Sequence, residues 1–154
     1  MTVATIVTCS PYKLDTALKK PEYPIQPTSF SKNFRIEFMP SKGRGVFTDV
    51  DIPKGSMVEI SPVIRLSQKD YEVAEKTFLY EYMYGWSDDG GAIALGYGSL
   101  FNHQTEANLH YQVWEDQLSV AFYAKRDIKG GEELTINYQQ RFADEHELWF
   151  QNSE

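Results

Sequence analysis

GYGSLFNHQTEAN, residues 96–108, is the stretch on which the rest of the chain turns. Two glycines bracket Tyr97, an apolar pair follows, and Asn102 and His103 then stand side by side ahead of a loop ending on Asn108. An amide beside an imidazole offers donors and acceptors on neighbouring side chains. Alone, such a pair is commonly structural, so its meaning depends on what stands around it. Upstream lies SKGRGVF (41–47), and downstream GGEELTINY (130–138) closes on Tyr138. Gly-Arg-Gly before a strand is by itself usually only a turn. It is neither a Walker loop nor a dinucleotide fingerprint, since the required downstream Gly and Lys-Ser/Thr are missing.

The segments between these three read as short strands. FRIEF (34–38) alternates apolar and polar residues. MVEI (57–60) and VIRL (63–66) follow, with Pro62 predicted to break them apart. Ser67, with Asp70 three residues on, marks a helix start, and the pattern predicts a helix to about Tyr82. AIAL (92–95) is a short strand, and LHYQVW (109–114) and LSVAFYA (118–124) flank a hairpin turn at Glu115–Gln117. ELTIN (133–137) is the last strand. Outside this block, TVATIVT (2–8) reads as a strand, the stretch with Pro11, Pro21, Pro24 and Pro27 as irregular chain, and ADEHELWF (143–150) as a short helix. One phrase occurs twice: DIPKGSMVEI (51–60) and DIKGGEELTI (127–136) share Asp, Ile, Gly and Ile at equal offsets, each a turn feeding a strand.

The 154 residues suffice for one domain with one core. A net charge of −7 argues against nucleic acid, which needs clustered Lys and Arg, and suits a basic peptide or plain solubility. Cys9 is the single cysteine, so neither an internal disulfide nor a Cys-rich zinc site is available. His103, His110 and His146 lack metal-type spacing. No apolar run approaches membrane-spanning length and no secretion signal begins the chain, which predicts a soluble intracellular protein, cytoplasmic or nuclear. The ten tyrosines and nine phenylalanines are explained by a core, or for some of them by a binding channel.

In combination, Gly43-Arg44-Gly45, Asn102-His103 and ELTINY ending on Tyr138, with the phrases GRGVFTDVDIPKG and AKRDIKGGEELTINY, resemble the SET-domain protein-lysine methyltransferases. The resemblance covers residues 34–138 and is closest to minimal viral and bacterial-type members, which lack cysteine-rich flanks. It implies a mainly β SET-domain fold with short helices, made of small curved sheets around a pseudoknot-like threaded segment. Residues 1–33 would be an N-terminal extension packed on the domain, and 139–154 a C-terminal helix or tail.

The resemblance also implies roles. Lys42, Gly43, Arg44 and Gly45 would lie along S-adenosylmethionine, and Asn102 and His103 would hold its amino group and adenine edge. Tyr138 would sit where the methyl meets the amine, contacting both. Tyr111 corresponds to a position that tunes how many methyl groups fit. Tyr82 or Tyr84 would add a ring to the lysine channel, with Phe142 and Trp149 closing it unless their helix merely packs an apolar face. The implied products are S-adenosylhomocysteine and a methylated lysine in a protein or peptide, a histone tail among the candidates, with no nucleic acid, membrane or metal involved. A homodimer is compatible. The chain departs from the family's usual Asn-His-Ser-x-x-Pro-Asn at Gln104 and Ala107. That predicts a less constrained loop, and it motivates the alternative of an inactive SET-fold module that binds cofactor or peptide without turnover.

Overall fold

Pro62 does not interrupt its strand. In the computed structural model, which describes residues 30–40, 42–86 and 90–138, one ten-residue strand runs from Met57 to Leu66 straight through it. The strand changes partner at the proline. Residues 57–62 pair with Ser119–Ala124 and residues 63–66 with Gly91–Ala94. Proline has no N–H to give to a ladder, but its carbonyl remains available. Here it accepts from Leu95 N–H at 2.8 Å, while Val63 N–H donates to the Leu118 carbonyl at 2.9 Å.

The strands, in chain order, are β1 (Phe34–Met39), β2 (Gly43–Thr48), β3 (Met57–Leu66), β4 (Met83–Gly85), β5 (Gly91–Ala94), β6 (Asn102–His103), β7 (Leu109–Trp114), β8 (Ser119–Ala124) and β9 (Glu133–Ile136). They form a five-stranded antiparallel sheet ordered β4-β5-β3-β8-β7 and a four-stranded sheet ordered β1-β2-β9-β6. In the second sheet only β6 and β9 are parallel, with Asn102 opposite Thr135 and His103 opposite Ile136. Val46, Val58, Leu109, Phe122 and Leu134 are fully buried in a shared core. Each such side chain removed from water stabilises the fold by about 1.5–3 kcal/mol.

The sequence echo becomes a pair of reciprocal clamps. Ile52 and Ile128 form an antiparallel bridge, each N–H donating to the other's carbonyl at 2.8 and 2.9 Å. Asp51 accepts from Gly130 N–H at 2.9 Å, and Asp127 accepts from Lys54 N–H at 2.8 Å. Gly55 and Gly131, at equal offsets, both take positive φ of 81° and 94°, a region favourable to glycine.

The helix predicted to Tyr82 is shorter. α1 covers Gln68–Ala74, with the Ser67 hydroxyl accepting from Asp70 N–H as expected of its cap. Thr77 ends it. Its hydroxyl donates to the Ala74 carbonyl at 2.7 Å and accepts from Leu79 N–H at 3.2 Å, closing one helix and starting a 3-10 turn over Phe78–Tyr82. The segment expected at 2–8, residues 1–29 of the N-terminal extension and the helix expected at 143–150 lie outside the described residues. Among the described residues no helix is long and apolar enough to cross a membrane.

Candidate active site

Two cavities share a wall. The first, about 670 Å3, is lined by Lys42, Gly43 and Arg44 at the start of β2, by Asn102 of β6, and by Phe38 and Phe78. The second, about 280 Å3, is lined chiefly by Tyr82, Tyr84, Phe101, Tyr111 and Ile136. Tyr138, Tyr82, Glu81 and Ser99 line both. Residues separated by nearly a hundred positions converge because β9 lies between β2 and β6.

Tyr138 follows β9 directly and is fixed at both ends. Its N–H donates to His103 Nδ1 at 3.2 Å, and its hydroxyl donates to the Phe101 carbonyl at 3.0 Å. The residue is 50% exposed, yet its hydroxyl is turned inward. Burial of the phenol pushes its pKa up, and the negative charge of Glu81 adds to that. Tyr138 is therefore a neutral hydroxyl at physiological pH. Its single proton is committed to Phe101, which leaves its oxygen lone pairs free to accept.

Asn102 is held just as firmly. Its side-chain NH2 donates to Glu133 Oε1 at 2.8 Å and to the Arg44 carbonyl at 3.1 Å, so β6 is fastened across β9 to β2. Glu133 also faces Lys42, Oε2 to Nζ at 3.5 Å. A Cβ at Gly45 would lie 2.7 Å from Met39 Cε, 2.8 Å from Glu133 Oε1 and 3.0 Å from Asn102 Nδ2, so it would displace these side-chain ends, two of which form the Asn102–Glu133 hydrogen bond. Gly45 thus works from beneath the cleft, whereas Lys42, Gly43 and Arg44 line it. His103 is exposed and lines neither cavity; the structure uses its ring to hold the Tyr138 backbone.

The tyrosine-lined cavity is rigid. Tyr84 is 8% exposed, donates its hydroxyl to the Gly98 carbonyl at 2.5 Å, and packs edge-on against Tyr111 at 5.3 Å. Burial, reinforced by Tyr111 and Tyr138, raises its pKa well above the usual phenol value, so this hydroxyl stays protonated. Gly98 N–H donates to the Ser61 hydroxyl at 3.1 Å, and Ser99 donates to the Tyr82 carbonyl at 3.0 Å. The sequence placed one ring from Tyr82 or Tyr84 here; both are present. Phe142 and Trp149 lie outside the described residues.

The loop expected to be loose is tied at both ends. Gln104 N–H donates to the Ile136 carbonyl at 3.0 Å, and its side-chain oxygen accepts from the Thr135 hydroxyl at 3.3 Å. Asn108 is buried, donating to the Glu133 carbonyl at 2.8 Å and accepting from Thr135 N–H at 2.9 Å. Ala107 is buried beside it. The missing proline is offset by hydrogen bonds to β9.

Sequence reasoning missed Glu133, Glu81, Phe38 and Phe78. Glu133 opens the ELTINY phrase, but no role attached to it there. The structure turns it to Asn102 and Lys42, while its neighbour Glu132 pairs with Arg126 and accepts from Lys129 N–H. A carboxylate at the head of the strand that leads to Tyr138 was the usable signal.

The SET domain family model matches residues 43–139. The chain belongs to the SET-domain family. It is 40% identical over 112 residues to a Schizosaccharomyces pombe protein named histone-lysine N-methyltransferase, H3 lysine-37 specific, a match covering 72% of each chain. It also shares its fold with a solved structure from Plasmodium falciparum, described as a candidate histone methyltransferase. The TM-score is 0.59 and the identity 24%, over 76% of this SET-domain chain and 96% of that one. The mainly β architecture expected from the sequence is thereby borne out.

Proposed function

We propose that the chain is a protein-lysine N-methyltransferase that uses S-adenosylmethionine and acts on a histone. The observation that carries this reading is the meeting of a cleft with polar and cationic lining and a tyrosine-walled cavity at Tyr138. The first cavity suits the cofactor: Lys42 and Arg44 can face a carboxylate, Asn102 keeps its amide oxygen free for an ammonium, and Phe38 and Phe78 offer apolar faces to a purine. Bound there, S-adenosylmethionine would supply an electrophilic methyl on a positively charged sulfur.

The protein's own residues do the rest. A free lysine has a pKa near ~10.4, so only about one amine in a few thousand is uncharged at pH 7. Tyr82, Tyr84, Tyr111 and Phe101 present aromatic faces that restrict the amine's approach, and the charged amine would be disfavoured beside the sulfonium of a bound cofactor. Tyr138 offers oxygen lone pairs at the junction, suited to weak C–H···O contacts with a polarised methyl. Being held neutral, it acts as a fixed dipole, and proton loss from the amine passes to water. Tyr111 narrows the far end of the channel and so limits how many methyl groups fit.

The S. pombe relative's name directs the first substrate test to lysine 37 of histone H3. Labelled cofactor is incubated with histone H3, with H3 altered at lysine 37, and with wild type, Tyr138→Phe or Asn102→Ala protein. Wild type should label H3, and Tyr138→Phe, losing contacts of about 0.5–1 kcal/mol each, should lose roughly fivefold to tenfold in rate with little change in cofactor binding by calorimetry. Asn102→Ala should lose cofactor affinity. Equal labelling by all three proteins removes Tyr138 and Asn102 from the reaction. Absence of label and of binding heat at high micromolar cofactor would refute the enzyme.

A further inference from the structure

Glu81 is the acidic residue that lines both cavities. It sits in the 3-10 turn over Phe78–Tyr82, immediately before Tyr82, and is exposed. Among the described residues it has no ion-pair partner, in contrast to Glu133, whose charge is turned to Lys42 and Asn102. Its field reaches the reacting junction, since after burial it is the next cause raising the Tyr138 phenol.

The transfer moves a positive charge across this junction. The amine nitrogen lone pair forms the N–C bond as the C–S bond breaks, and sulfur keeps the electron pair. The charge passes from sulfur to nitrogen, and the new ammonium later releases a proton to water. Before transfer the cofactor is a sulfonium; afterwards it is a neutral thioether of almost the same shape. The two compounds differ at the junction by one methyl group, which Tyr138 can contact, and by one positive charge, which only a charged or strongly polar group can read.

We propose that Glu81 makes this site prefer the cationic methyl donor over the neutral thioether product, so that spent cofactor is released. This inference rests on the methyltransferase reading above. A carboxylate lining both cavities favours the positive charge wherever it stands during transfer, and loses its hold on the cofactor once that charge has gone. Because Glu81 is exposed, water screens the effect, which keeps it modest.

The test is calorimetric titration of S-adenosylmethionine and of S-adenosylhomocysteine into wild type, Glu81→Gln and Glu72→Gln protein. Glu72 is an exposed acid of α1 that lines neither cavity, so its change controls for net charge. Glu81→Gln should weaken the sulfonium compound about threefold to fivefold, leave the thioether within about twofold, and so shrink the ratio of the two affinities. Glu72→Gln should change neither. In wild type the ratio should fall as salt rises. An unchanged ratio in Glu81→Gln, or equal weakening of both compounds, overturns the assignment. Binding of neither compound by wild type overturns the methyltransferase reading and this inference with it.

Discussion

Replacing Glu133 by Ala should damage the site through Asn102, although Glu133 itself lines neither cavity. The side chain is 16% exposed and accepts from Asn102 at 2.8 Å. A hydrogen bond to a charged group in such a setting contributes about 1.5–3 kcal/mol. Part of that loss is recovered, because the Asn102 amide keeps its bond to the Arg44 carbonyl and water can enter. A net destabilisation of about 1–2 kcal/mol is expected, which lowers Tm by about 2–8 °C for a chain of this size. Asn102 also regains rotamer freedom that cofactor binding must remove again, at about 1 kcal/mol, or roughly fivefold in Kd. Glu133→Gln separates the terms. Its amide oxygen can still accept from Asn102, and only the partly exposed 3.5 Å pair with Lys42 is lost, so affinity should stay within about threefold of wild type. Thermal melts and calorimetry on both variants decide. If Glu133→Ala binds cofactor as wild type does, or if Gln is as damaging as Ala, the carboxylate does not act through Asn102.

Two further outcomes follow from the core. Burial raises the Glu59 pKa from 4.5 to about 7, against hydrogen bonds from Tyr97 and Ser61 that lower it. The folded state then binds the proton more tightly than the unfolded chain, so stability falls as pH rises between about 4.5 and 7. Glu59→Gln should therefore exceed wild type in urea melts at pH 8, by up to ~3 kcal/mol, with the difference fading towards pH 5; parallel pH dependence in both proteins would show that Glu59 is not the group. Ile52→Ala and Ile128→Ala remove equivalent halves of one bridge, each 1% exposed. Each should cost about 2–5 kcal/mol and the two should match closely, whereas a gap above about 2 kcal/mol between them would break the equivalence of the two clamps.

What could be read from the chain, and what could not, follows from the range of the interactions. Local signals held for the Ser67 cap, the hairpin turn at Glu115–Gln117 and the strand at residues 34–38, although Ile36 and Phe38 of that strand are exposed. Two secondary-structure expectations failed, one for a distant cause and one for a local one. Pro62 continues its strand because Leu95 satisfies its carbonyl and a new partner strand begins there. The helix after Ser67 stops at Ala74 because Thr77 satisfies its end, which no periodicity reveals. In the site, Asn102, Tyr138 and the stretch from Lys42 were found from motif order, but Glu81 belongs to no motif and Glu133, although it opens ELTINY, carried no assigned role. They acquire meaning only when β9 brings β2 and β6 together, and the Gln104–Asn108 loop likewise owes its constraint to β9.

The position of β9 has a further consequence for how the molecule is made. Lys42 and Glu133, 91 residues apart, must meet before the cleft exists, and the reciprocal clamps join Asp51 to a loop 78 residues away. Such long-range closure slows folding, because loop entropy is lost before the contacts reward it. During synthesis β1 and β2 leave the ribosome early and wait with an unpaired edge until almost the whole domain has emerged. No truncated product ending before Glu133 can assemble the pocket, so incomplete chains carry an exposed strand edge and no competing half-active site.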